Sequence, residues 1–186
     1  MKNISIFGST GSIGSNAVKI LLNQKNDFNV VVLTGGKNLK ELAKQSILLK
    51  PKNIVIADHE LLDDLKELLI GYDFNITGGK EALLNAASIP VDVSLQGIIG
   101  FAGVECSLIA ARYSKILALA NKESLVCAGL LLKQICKDNN TALVPVDSEH
   151  SAIFQCLNGE NIKTVERIIL TGSGGPFLNT KLKDLL

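Results

Sequence analysis

The chain has 186 residues, 47% hydrophobic and 20% charged, with a formal net charge of +1 and no long run of either sign. At roughly 100–200 residues per domain, that suffices for one full domain and part of another. The near-neutral charge excludes nucleic acid or an anionic membrane surface as the main partner, and no apolar run approaches the roughly 20 residues of a membrane helix.

Short apolar runs alternate with longer amphipathic ones. Residues 4–7 (ISIF) read as a buried strand, and 12–24 as a helix with Ile13, Val18, Leu21 and Leu22 on one side. A strand rich in β-branched residues is expected at 28–34, then a helix at 39–50 that Pro51 stops. A strand at 53–57 leads to Asp58 as N-cap of a helix through Leu69. Strands follow at 74–77, 91–99, 115–120 and 142–146, with helices at 80–88, 103–113 and 122–138 between them. This alternation predicts an α/β fold, a doubly wound Rossmann-like parallel sheet spanning residues 1–146. The pattern changes at Asp147: a short helix (150–157), a polar segment, a strand (167–171) and a glycine-rich turn read as the beginning of a second α/β domain over 147–186. The first strand-like run starts at Asn3, so no targeting peptide is expected before it. Cys106, Cys127, Cys136 and Cys156 show no C-x-x-C spacing, which points to free thiols in a reducing, cytoplasmic compartment.

Ligands of such sheets bind beyond the carboxyl ends of the strands, and the least generic stretches of the sequence lie there. GSTGSIG (8–14) joins the first strand to the first helix. Glycines in that turn let the backbone approach a pyrophosphate, the helix N-terminus supplies unpaired N–H groups, and Thr10 and Ser12 add hydroxyl donors. The glycine spacing is G-x-x-G-x-x-G rather than the usual G-x-G-x-x-G. NAD enzymes place an acid about 20 residues further on, at the end of the second strand, for the ribose 2′-hydroxyl. Here no acid lies between Phe28 and Lys40, and Lys37 and Asn38 occupy that place. A lysine attracts the 2′-phosphate that a carboxylate repels, so the expected cofactor is NADPH.

Asp147 and Glu149 follow an apolar strand in VPVDSEH. In extended backbone, residues i and i+2 point to one side. Two such carboxylates suit Mg²⁺ or Mn²⁺, with Ser148 and His150 nearby and a third ligand from elsewhere. The alternative is a capping Asp and Ser ahead of a helix, with a solvated Glu. In NKE (121–123), Lys122 can hold an anionic substrate oxygen, while Asn121 and Glu123 position the nicotinamide end; a simple cap of the following helix by Asn121 is the competing reading. TGSGGPF (171–177) can form an anion nest around Ser173, or a linker turn. Cys127 sits in an apolar helical run and is expected in the core, inert.

GSTGSIG, GGKN, LANKESLV, PVDSEHSAIFQ and ILTGSGGPF occur in this order. Together they resemble the N-terminal part of the 1-deoxy-D-xylulose 5-phosphate reductoisomerase family, across essentially the whole chain. The resemblance implies an NADPH- and divalent-metal-dependent enzyme of the non-mevalonate isoprenoid pathway. Such an enzyme makes 2-C-methyl-D-erythritol 4-phosphate from a phosphorylated small-molecule substrate, and the family is typically homodimeric. It implies cofactor contacts at Thr10, Gly11, Ser12, Ile13, Gly36, Lys37, Asn38, Asn121 and Glu123. It further implies substrate contacts at Lys122, Ser148, Glu149 and Ser173, metal ligands at Asp147 and Glu149, and a catalytic group of Lys122, Asp147 and Glu149. The family's catalytic domain is longer, so these residues are expected to be a fragment that binds NADPH without turning over substrate. Two other readings of the same residues are a cysteine-dependent reductase of the aspartate-semialdehyde dehydrogenase type and an NADPH-sensing module.

Overall fold

Among the residues that the computed structural model describes (1–24, 26–170, 179–181 and 184), seven strands form one all-parallel sheet. They are β1 (Lys2–Phe7), β2 (Phe28–Gly35), β3 (Asn53–Ile56), β4 (Asn75–Gly78), β5 (Val91–Gln96), β6 (Ser114–Leu119) and β7 (Ala142–Pro145), in the order β4-β3-β2-β1-β5-β6-β7. The crossovers are α1 (Ser12–Asn23), α2 (Leu39–Leu49), α3 (Leu62–Leu68), α4 (Lys80–Ala87), α5 (Ala102–Tyr113) and α6 (Glu123–Asp138). The chain divides into two compact units, Met1–Asp147 and Ser148–Leu186.

The doubly wound sheet follows from the handedness of the crossovers. From β1 to β4 the chain steps outward in one direction, then returns to lie beside β1 as β5 and steps outward the other way. Right-handed connections therefore put α1–α3 on one face and α4–α6 on the other. Val18, Leu21, Leu42 and Leu65 pack with Ile6 and Leu33 on the first face. Leu83, Ala110 and Leu132 pack with Phe7, Val32 and Leu117 on the second. Both faces are covered, which is why the strands read as continuous apolar runs. The reversal falls between β1 and β5, whose last residues Phe7 and Gln96 are paired. A crevice opens at such a point.

Local signals act as expected at most boundaries. α2 ends where Lys50 turns left-handed (φ 49°), immediately before Pro51, a residue whose ring disfavours helix at the preceding position. Asp58 caps a single 3₁₀ turn, His59–Leu61, by accepting from the Glu60 N–H at 3.3 Å; the longer helix expected here is split between this turn and α3.

Two expectations are corrected. Cys127 is exposed, not in the core. α6 is interrupted at Ala128 (φ −138°, ψ 21°), and its buried residues are Ser124, Leu132, Ile135 and Cys136. One helix face cannot bury every apolar residue in SLVCAGLLL, and Val126 and Leu130 are left 84% and 89% exposed. The core thiols are Cys106 and Cys136; burial pushes Cys106 up to about 11, so it stays protonated and inert at neutral pH. Residues 167–170 carry no strand, although one was expected over 167–171; Thr171 lies outside the described residues. A strand needs a ladder partner, and the described part of the second unit contains none. That unit holds α7 (Ser148–Leu157), which buries no residue, and a 3₁₀ turn, Ile162–Thr164. No helix among the described residues is long and apolar enough to cross a membrane.

Candidate functional site

β1 ends at Phe7 and the chain turns at once. Gly8 adopts φ +81°, and a Cβ there would stand 2.9 Å from the Gly97 carbonyl. Gly14, in the first turn of α1, has still less room: its Cβ would lie 2.2 Å from Gly8 O and 2.5 Å from Ser9 Cα. Gly11 is under no such constraint, the nearest atom being Gly8 O at 3.4 Å. The unusual spacing therefore puts its two obligatory glycines at the ends. One admits the loop after β5; the other lets α1 start directly against the turn. Gly11 is the N-cap of α1 and offers no side-chain cap. The first N–H groups of α1 and the positive end of its dipole are thus available to an anion. Thr10, Gly11 and Ile13 are partly exposed here and Ser12 is exposed.

Residues distant in sequence hold this turn. Gly8 N donates to Thr34 Oγ1 at 2.9 Å and Ser9 N to Thr34 O at 2.8 Å. Ser9 O accepts from Ser15 Oγ at 3.3 Å and from Gln45 Nε2 at 3.2 Å. Ser9 Oγ is fully buried and has no hydrogen-bond partner among the described residues. Thr34 and Gln45 were missed in the sequence. The available signal was a polar residue at the end of an apolar strand in one case, and on the apolar stripe of a helix in the other.

Gly36, Lys37 and Asn38 follow β2 and are exposed. Asn38 Oδ1 caps α2 by accepting from Glu41 N at 3.2 Å, a bond that does not use the Asn38 amide nitrogen. A cavity of about 230 Å³ lies between these loops, lined by Gly8, Gly11, Thr34, Gly36, Gly97 and Ile98. Through Ala57, Leu83 and Ala102 it adjoins a larger recess of about 650 Å³ that includes Phe101 and Leu108. Lys80 and Glu105 form a 2.7 Å ion pair at this recess, and the hydrogen bond to Glu105 raises the Lys80 ammonium above its ordinary pKa.

After β6, Asn121 is 2% exposed and its carboxamide is fully committed. Nδ2 donates to Ile98 O (2.8 Å), Gly100 O (2.9 Å) and Glu123 Oε2 (3.0 Å). Oδ1 accepts from Ser124 N (2.9 Å) and from Ser124 Oγ. Asn121 thus caps the head of α6, as the competing reading held, and ties it to the loop after β5. Gly103 makes this fit possible, because a Cβ there would stand 2.8 Å from Asn121 Nδ2 and 2.6 Å from Ile98 O.

Lys122, with 64% of its side chain exposed, faces Asp147 (15%) across 3.8 Å. The extended geometry expected for Asp147 and Glu149 is not the backbone found: α7 begins at Ser148, so Glu149 lies in its first turn. A carboxylate there is favoured by the helix dipole. Ser148 Oγ donates to Glu149 Oε2 at 2.8 Å, and both residues are exposed. Ser173 and its glycine turn lie outside the described residues. Among the described residues no three His, Cys, Asp or Glu side chains converge as a metal site. Burial holds the Cys106 thiol protonated, at about 11, the opposite of the lowered pKa that activates a cysteine nucleophile, while Cys127 and Cys156 are exposed.

A family model for 1-deoxy-D-xylulose 5-phosphate reductoisomerase matches residues 4–129, and a model for the C-terminal domain of the same enzyme matches residues 143–186. Curated reductoisomerases from Wolbachia pipientis (Culex pipiens, strain wPip) and Lachnospira eligens are 46% and 44% identical over 186 residues. Each alignment takes in 100% of this chain and 47% or 49% of the relative. The chain thus spans about half the length of the curated relatives it matches. The Zymomonas mobilis reductoisomerase solved in complex with NADPH superposes with a TM-score of 0.91 at 42% identity, covering 99% of this chain and 49% of that one. A reductoisomerase solved with NADPH, fosmidomycin and magnesium superposes at 0.79 and 34% identity, over 84% and 39%.

Proposed function

The chain belongs to the 1-deoxy-D-xylulose 5-phosphate reductoisomerase family, and from that premise we propose that it binds NADPH between β1, β2 and β5 and serves the family's reaction. One observation carries this reading: the glycine turn is a cradle shaped for something other than protein. Side chains are sterically forbidden at Gly8 and Gly14, and α1 begins without a side-chain cap, so its first N–H groups are left for a ligand. A pyrophosphate supplies acceptors for such donors.

NADPH supplies the hydride, and a divalent ion stabilises charge developing on neighbouring substrate oxygens. Thr10, Gly11, Ser12 and Ile13 bind the pyrophosphate. Gly36, Lys37 and Asn38 bind the 2′-phosphate, Lys37 as the cation and Asn38 through its amide nitrogen. Asn121 and Glu123 border the nicotinamide end of the cofactor, Asn121 also holding the loop after β5. Lys122 binds a substrate oxygen, Ser148 and Glu149 contact substrate, and Ser173 binds its phosphate. Asp147 and Glu149 are the hard oxygen donors for Mg²⁺ or Mn²⁺. The substrate is 1-deoxy-D-xylulose 5-phosphate, the product 2-C-methyl-D-erythritol 4-phosphate, and a cytoplasmic location and a homodimeric assembly belong to the same proposal.

The test is NADPH consumption by the protein isolated from its source. It should require both the sugar phosphate and Mg²⁺ or Mn²⁺, stop on chelation and resume on adding metal. Consumption that persists after the metal is stripped would rule out the carboxylate role.

A further inference from the structure

Gln45 is 1% exposed on the buried side of α2, between the apolar residues that anchor the helix. Its Nε2 donates to Ser9 O at 3.2 Å and to Glu41 Oε1 at 3.0 Å, and its Oε1 has no partner among the described residues. A buried amide left half-satisfied is destabilising beside an apolar residue of similar shape, so packing alone does not account for a glutamine here. Its one long-range bond reaches 36 positions back along the chain, into the glycine turn. Ser15 Oγ, from α1, donates to the same carbonyl at 3.3 Å.

We propose that Gln45 and Ser15 are positioning residues of the pyrophosphate turn: by holding the Ser9 carbonyl inward they aim the Thr10 N–H outward at the dinucleotide. The inference rests on the NADPH reading of the cleft. Its geometry is elementary. The peptide joining Ser9 to Thr10 is planar and trans, like every other peptide described, so its N–H points opposite to its C=O. Two donors from two different helices on one carbonyl fix the plane of that peptide. Thr34 holds the preceding peptide by accepting from Ser9 N at 2.8 Å, so the Ser9–Thr10 unit has little freedom to rotate. The turn is then set before ligand arrives, and NADPH binds without having to order it. Gln45 touches neither substrate nor cofactor in this account; it acts through Ser9.

Two ligands separate this role from a general effect on the fold. NADPH uses the pyrophosphate turn, whereas 2′-AMP carries the 2′-phosphate but no pyrophosphate and engages only the Lys37 arm. Calorimetric titration of the Met1–Leu186 chain should show NADPH binding weakened about tenfold in Gln45→Met and a few-fold in Ser15→Ala, the scale of one lost hydrogen bond. Binding of 2′-AMP should stay within about twofold in both. Alanine is favourable inside a helix, so Ser15→Ala folds even where Gln45→Met does not and then decides alone. Unchanged NADPH affinity in the folded variants, or a parallel loss of 2′-AMP, overturns the proposal. If the unaltered chain binds no NADPH, the cofactor reading itself falls; if it binds NADPH and the variants match it, only the positioning role falls.

Discussion

Gly14→Ala is expected to abolish measurable NADPH binding and to destabilise the first unit by about 1–3 kcal/mol, the usual range for forced overpacking. The atoms in the way are Gly8 O at 2.2 Å and Ser9 Cα at 2.5 Å, both backbone, so no rotamer change relieves the clash. α1 must lift away from the turn, which removes its N-terminal N–H groups from the place where the pyrophosphate sits. Gly11→Ala is the informative contrast. Its Cβ would meet only Gly8 O at 3.4 Å, and the backbone there (φ −80°, ψ 176°) suits any residue. That variant should melt within about a degree of the unaltered chain, a surface-type change in stability, yet bind NADPH more weakly because the new methyl points into the cleft. Thermal melts beside fluorescence titrations measure both. Equal melting temperatures for the two variants would contradict the packing account of the glycine spacing.

If the proposed reaction holds, Asp147→Asn in the protein isolated from its source is expected to lower kcat by about a thousandfold, corresponding to several kcal/mol of lost charge stabilisation. The exchange keeps shape and hydrogen-bonding capacity but removes the charge a hard cation needs. Asp147 also faces Lys122 at 3.8 Å, so its neutralisation leaves Lys122, the lysine proposed to bind substrate, without this carboxylate opposite it. The two effects separate in the metal titration. Loss of a ligand raises the Mg²⁺ concentration needed for half-maximal rate, whereas loss of the ion pair alone changes KM for the sugar phosphate at unchanged metal requirement. Full activity with an unchanged metal requirement would remove Asp147 from the metal site.

Much of the fold was legible because periodicity is local. Runs such as NVVVLT and NIVI are buried on both faces, and the amphipathic stretches between them impose parallel pairing whatever the rest of the chain does. The place of Lys37 just after β2 was legible for a similar reason, since it can be counted from the glycine turn; its role toward the 2′-phosphate belongs to the proposal. Contacts that join distant segments left weaker traces. Gln45 to Ser9 and Asn121 to Ile98 are single hydrogen bonds across 36 and 23 positions, and nothing in the neighbouring sequence demands them. Cys127 was misplaced because an unbroken apolar run reads as buried, while the interruption at Ala128 and the limited width of one helix face leave part of it outside. The extended spacing assumed for Asp147 and Glu149 failed because Ser148 opens a helix, an end-of-strand decision that depends on capping rather than on period.

The central claim is that the unit Met1–Asp147 is built for NADPH, with Lys37 and Asn38 on the 2′-phosphate. Equilibrium titration of the chain with NADPH and with NADH tests it most directly, since the two ligands differ only in that phosphate. One charge-assisted contact predicts NADPH tighter by roughly ten- to a hundredfold, with the preference shrinking as salt is raised, as it must for an exposed lysine. Equal affinities, or tighter binding of NADH, would contradict it.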